Sequence, residues 1–267
     1  MSKTIRQILL LLFIVCSFSP FFGQNQKINA SVISKFKIDT DEFIGYDSFG
    51  YSYQIKNNVF SKIKGSEIFE YKNVSLGNIT KVDIQNPLKI VLFYEDFNSV
   101  VLLDNQLNKM TEINFSQNTI PIVVSAIGMS TQNQLWIFNT LNQQIGLFDY
   151  LKNEYKTVSI PLTEGIKYYQ TDFNTFYWID KKNNWFSCDI FGKISSLGNV
   201  ADFDKIEIIS PQKFIFSKAN SLYLRENTNT FSEIEVLEKS FDKFYYKDQI
   251  LSIFTTKEIV NYKIVIP

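Results

Sequence analysis

Hydrophobic positions along this chain fall in short aromatic and β-branched runs that return at a regular interval. The runs begin at Tyr51 (YSYQIKNNVFSKIK), Lys89, Gln134, Thr175, Lys213 and Ile250, with spacings of 38, 45, 41, 38 and 37 residues. Each reads as a strand, a turn rich in Asn, Lys, Asp and Ser, and a second strand, which is the pattern of a β-hairpin. A further strand is predicted upstream of each hairpin, over 42–46, 81–85, 123–129, 166–171, 205–209 and 243–247. Each upstream strand runs into a turn: Asp47-Ser48, Asn86-Pro87, Ser130-Thr131, Asp172 to Asn174, Ser210-Pro211 and Asp248-Gln249. A fourth strand follows in five of the six units, over 67–71, 109–115, 154–160, 194–197 and 231–236.

Four strands in about 40 residues, repeated six times, is the sequence signature of propeller blades. The expected fold is therefore all-β, a single propeller of about six four-stranded blades. Pro87, Pro121, Pro161 and Pro211 all fall between predicted strands, as they must, because proline cannot donate to a sheet ladder. The sixth unit lacks an outer strand, while 31–38 (SVISKFKI) is a strand to spare. The economical solution closes the ring by placing this N-terminal strand in the last blade. In the fifth unit Glu233 and Glu235 alternate with Ile234 and Val236. The carboxylates are expected to guard an exposed outer edge against pairing with another chain.

Composition sharpens the picture. Of 267 residues 45% are hydrophobic, so a large core is within reach. Lys plus Arg equals Asp plus Glu at 27 each, which gives no overall electrostatic drive toward nucleic acid. There is no histidine, which excludes Ser-His-Asp and Cys-His catalysis and His-ligated metals. At the N-terminus, Lys3 and Arg6 precede an apolar run from Ile8 to Phe18, broken by Ser19, Pro20 and Gly23. This reads as a secretory signal over 1–23, leaving a propeller domain over 24–267; a retained membrane anchor is the alternative. Val15 stands before Cys16 where a lipobox needs a small residue, so lipidation is not expected. Beyond the signal the single cysteine is Cys188, in a strand-like segment, expected as a buried thiol. The Phe, Tyr, Asn, Ile and Lys bias and the FFGQ ending of the signal resemble proteins of low-GC Bacteroidota. That resemblance implies a Gram-negative envelope, with the periplasm as the address, peripheral to the outer membrane.

One unit carries a more specific likeness. Leu135-Trp136-Ile137-Phe138, followed by Ile145-Gly146-Leu147-Phe148-Asp149, resembles the G-x-L-W-x-x-T … G-L-x-x-Y-D repeat of sensor and regulator propellers. Gln134 stands where that repeat has a turn glycine, and the other five units keep only the hydrophobic skeleton. The resemblance implies a disc that binds ligands or partners on its faces. An eight-bladed outer-membrane assembly factor is a similar periplasmic precedent.

A search for chemistry returns little. Arg225 is the one arginine after the signal, so the arginine cluster of sialidase-type sites is missing, and there is no glycine-rich phosphate loop. Asp47, Asp172 and Asp248 take equivalent positions after three inner strands, with Asn86 and Asn174 nearby. They are an oxygen-ligand set for a metal-dependent hydrolase or lactonase, or ordinary turn residues. Tyr168-Tyr169 and Tyr245-Tyr246 lie on inner strands, and neighbours on a strand point to opposite sides, so one ring of each pair can line a channel or a face. They are the candidate ligand-binding residues for a glycan or small ligand. The expected function is a non-catalytic scaffold that binds an envelope or outer-membrane protein, with no cofactor, no nucleic acid and no transmembrane segment after the signal. The two alternatives are a ligand-binding sensor module and the metal-dependent hydrolase.

Overall fold

The computed structural model describes residues 27–266 apart from 228, 229 and 239, so the expected signal lies outside the described residues. Two N-terminal strands, β1 (Lys27–Asn29) and β2 (Ser31–Lys37), precede the blades. Blade one comprises β3 (Glu42–Tyr46), β4 (Ser52–Lys56), β5 (Val59–Lys64) and β6 (Glu67–Tyr71). Blade two comprises β7 (Lys81–Asp83), β8 (Ile90–Tyr94), β9 (Ser99–Leu103) and β10 (Lys109–Asn114). Blade three follows with β11 (Val124–Met129), β12 (Gln134–Asn139), β13 (Gln144–Asp149) and β14 (Glu154–Thr157). Blade four holds β15 (Ile166–Thr171), β16 (Thr175–Asp180), β17 (Asn184–Asp189) and β18 (Ile194–Asn199). Blade five holds β19 (Lys205–Ser210), β20 (Lys213–Lys218), β21 (Ser221–Asn227) and β22 (Thr230–Glu235). Blade six has β23 (Lys243–Lys247), β24 (Ile250–Phe254) and β25 (Glu258–Lys263).

These strands form six separate sheets, each built on an antiparallel meander, and together a six-bladed β-propeller. The hairpin turns take the left-handed backbone that short connections require. Asn57-Asn58, Ala219-Asn220 and Asp248-Gln249 each have two successive positive φ values, the pattern of type I′ turns, in which Asn and Asp are favoured. The ring closes as the spare strand predicts: β2 pairs antiparallel with β25 from Ser31 opposite Lys263 to Lys37 opposite Glu258.

The first described residues depart from expectation. β1 adds a fifth strand to blade five, parallel to β22, with Lys27 to Asn29 opposite Glu233 to Glu235. The edge that Glu233 and Glu235 were expected to guard is therefore occupied, and Glu235 takes Lys27 as an ion-pair partner at 2.5 Å. Two element ends are also shorter than the hydrophobic pattern predicts. β7 stops at Asp83, whose carboxylate accepts the Gln85 amide at 2.8 Å and turns the chain. β14 stops at Thr157, where the Val158 and Ser159 amides both donate to the Ile145 carbonyl.

Six hydrophobic clusters fill the six seams between blades, one each. Trp136, Trp178 and Tyr177 are buried in them, and Cys188 is fully buried. Trp136 also ties blade three to blade four, donating its indole N–H to the Asp172 carbonyl at 2.9 Å. The seams are unequal. Between blades two and three thirteen buried residues pack together. Between blades six and one the buried set is Phe43, Phe254 and Ile259, flanked by partly buried Ile38, Tyr46 and Tyr245.

Candidate functional site

The six inner strands, β3, β7, β11, β15, β19 and β23, surround a central channel with a cavity of about 990 Å³. Its layers can be read by counting back from the turn that ends each inner strand. Five residues before the turn stand Glu42, Lys81, Ser125, Lys167, Lys205 and Lys243, a ring with four lysines. Three residues before it stand Ile44, Asp83, Ile127, Tyr169, Glu207 and Tyr245, a ring with two carboxyls and two phenols. All of these except Ser125 line the channel.

Polar side chains stitch neighbouring inner strands through backbone groups. The Asp83 carboxylate accepts the Met129 amide at 2.7 Å, and the Tyr169 hydroxyl accepts the Ile127 amide at 3.2 Å. Gln170 bonds both the amide and the carbonyl of Ile208. Glu207 accepts the Tyr246 amide at 2.8 Å, and Tyr245 donates to the Tyr46 carbonyl at 3.2 Å. Gly128 permits the closest approach. A Cβ there would lie 2.0 Å from the Thr171 hydroxyl, so only glycine fits between blades three and four at this level.

Enclosure changes the acids and bases of the channel. Burial pushes the Glu207 carboxyl up to about 8, against the opposing effects of the Tyr246 amide, Lys243 and Lys81. Burial also raises Asp83, opposed by its two backbone donors and by Lys81. Lys81 is lowered, first by burial and then by the like charge of Lys243. Water reaches the Lys81 side chain, which keeps exposed surface within the channel. The channel wall around it is what lowers its pKa.

The ring lysines are differently engaged. Lys243 pairs with Glu42 at 2.8 Å, and Lys167 with Asp202 at 3.1 Å. Lys81 has neither an ion pair nor a hydrogen bond among the described residues; its ammonium lies over the Tyr169 ring, 5.2 Å from the centroid. These charged channel residues were not singled out from the sequence. The signal was nevertheless present, since lysine recurs five residues before the turn in four of six repeats.

The four tyrosines proposed from sequence all line the channel and are half-buried. Their rings diverge as strand alternation requires. Tyr168 packs in the seam between blades four and five, and Tyr169 in the seam between three and four, stacked on Phe176. Tyr246 packs between blades five and six and Tyr245 between six and one. Asp47, Asp172 and Asp248 sit in three separate turns. Asp47 is buried and accepts from the Phe49 and Tyr51 amides and the Tyr53 hydroxyl. Asp172 accepts from the Asn174 amide, and Asp248 occupies a positive-φ turn position. Among the described residues no three His, Cys, Asp or Glu side chains gather to hold a metal.

Comparison with known proteins places the architecture. No family model and no curated protein matches the sequence. Solved propellers do match the structure. Virginiamycin B lyase from Staphylococcus aureus superposes with a TM-score of 0.56 at 12% identity, covering 91% of this chain and 97% of that one. BamB from Moraxella catarrhalis gives 0.50 at 9% identity, covering 88% and 99%. The Cps50 (Swd1) propeller domain of Myceliophteria thermophila gives 0.57 at 9% identity, covering 88% and 100%. Identities this low show a shared β-propeller fold and leave function to the residues. No helix among the described residues is long and apolar enough to cross a membrane.

Proposed function

We propose that this chain is a non-catalytic propeller that binds a protein partner in the cell envelope, in the periplasm at the outer membrane. The observation that carries the proposal is an arc of exposed apolar side chains on one side of the disc. In an antiparallel four-stranded blade, the first-to-second and third-to-fourth connections lie on the same side. On that side Phe49, Leu88, Leu151, Phe173 and Phe191 come from four consecutive blades, with Phe191 87% exposed. Exposed apolar side chains in the turns of neighbouring blades are surface that a protein interface can use; the other side carries its own, among them Val74 and Leu141.

The catalytic alternatives have less to stand on. A His-to-Ala variant of the lyase that shares the fold is catalytically inactive, and this chain has no histidine. The Asp47 carboxylate is already occupied by three donors. The expected signal supports the envelope address.

The test is affinity capture of the tagged protein from gently solubilised envelopes, compared with Phe49→Asp and Phe191→Asp variants. The expected result is a stoichiometric membrane-associated partner that both variants lose. An empty capture, or a partner retained by both variants, overturns the reading.

A further inference from the structure

The channel carries its own inference, independent of any protein bound to the turn side. A cation on a channel wall with no counter-charge of its own attracts an anion into the channel. Lys81 is in that condition: it lines the channel, is repelled by Lys243, and has no ion pair among the described residues. Asp83, Glu42 and Glu207 lie near enough to favour its charge. Each is otherwise engaged, Asp83 by two amides, Glu42 by Lys243 and Glu207 by the Tyr246 amide. Lys205, in the same ring, also has no ion pair among the described residues.

The wall beside Lys81 suits a carbon body. The Tyr169 ring lies 5.2 Å from the ammonium and stacks on Phe176, with centroids 5.7 Å apart. Tyr245 is held by its hydrogen bond to Tyr46 and seated against Gly45, where a Cβ would come within 2.9 Å of its ring. Rings fixed in this way offer apolar surface at little further entropic cost. We infer that the channel binds a small organic carboxylate, whose anionic end pairs with Lys81 and whose carbon body lies against Tyr169 and Tyr245.

Glu207 sets the pH range of this site. The groups facing it are Lys81 from β7, Tyr168 from β15, and Lys243, Tyr245 and Tyr246 from β23. The phenols are all raised by burial and stay neutral. Below about 8 Glu207 is protonated and neutral, and the ligand meets the lysines with one competing charge fewer. Above that range Glu207 adds an anion to the channel and opposes the ligand.

The experiment is calorimetric titration of the purified protein with benzoate, using benzyl alcohol and chloride as controls. Saturable one-to-one binding is expected near pH 6.5, weakened at least about tenfold, or about 1.4 kcal/mol, by Lys81→Met. Affinity should fall as the pH is raised to 9 in the native chain and fall less in Glu207→Gln, where only the lowered Lys81 ammonium is left to lose its charge. Phe191→Asp should bind as the native chain does, which separates this site from the protein-docking side. Three results overturn the inference: no saturable benzoate binding, equal affinity for chloride or benzyl alcohol, and an unchanged affinity in Lys81→Met. A Lys81→Met chain that fails to fold leaves the Glu207→Gln pH profile to decide, and a profile equal to the native one refutes the site.

Discussion

Glu207 shows how a single side chain couples the channel to stability. Its carboxyl ordinarily titrates at 4.5 and is held up to about 8 in the folded chain. Between those values the unfolded chain has released the proton and the folded chain keeps it. The folded state therefore binds more protons there, and stability falls as pH rises. Below about 4.5 both states are protonated, and above about 8 neither is, so the loss is confined to that window. Urea titrations of native and Glu207→Gln proteins should show the native chain losing stability relative to the variant between about pH 4.5 and 8, with parallel curves on either side. Parallel curves throughout would place Glu207 in contact with bulk water. Sequence alone could not single out this residue, because its pattern, Lys-Ile-Glu-Ile-Ile, is that of any half-exposed strand; only the closed ring turns an exposed position into an enclosed one. Asp47 makes the opposite case. Its place just past an inner strand fits both a metal ligand and a turn former, and the three donors around it account for the residue as a turn former.

At the scale of elements, the ring closure was legible because a missing strand and a surplus strand had matching lengths and patterns. β1 was not, because three residues are too few to show a period and the sequence gives no signal for parallel pairing. The two strands should also differ in weight. β2 pairs along its whole length with β25, whereas β1 contributes a three-residue ladder, the buried Ile28 and an exposed ion pair, which solvent screens. A chain beginning at Ser31 is expected to unfold cooperatively with its midpoint lowered by a few degrees. One beginning at Ile38 leaves blade six with a bare edge on β25 and is expected to aggregate or lose its cooperative transition. Circular dichroism melts and light scattering on the two truncations check this. Equal behaviour would mean that β2 is not the closing strand.

For the whole molecule, blade number followed from the repeat interval, and the extra length between the second and third units is taken up by a short 3-10 turn at Phe115–Gln117 and the connection after it. The unequal seams were not legible, since they depend on which residues meet across blades. With three buried residues against thirteen elsewhere, the seam between blades six and one holds the least apolar packing. Burial of apolar surface is the main stabilising term, so opening should begin there. Native-state hydrogen exchange should find amides of β3 and β23 exchanging through smaller openings than those of β8, β9 and β12. Uniform protection around the ring would show that hydrogen bonds such as Lys243 to Glu42 compensate for the missing apolar contacts.

The partnership of β2 with β25 also orders events in time. A ribosome delivers Ser31 more than two hundred residues before Lys263, its partner. Until the last residues emerge, the sixth blade has no second, third or fourth strand in place, and the nascent disc stays an open arc with apolar seam surface uncovered. Late, long-range pairing of this kind slows folding and prolongs exposure. A chain built in this way cannot bury the seam between blades six and one until its synthesis is complete.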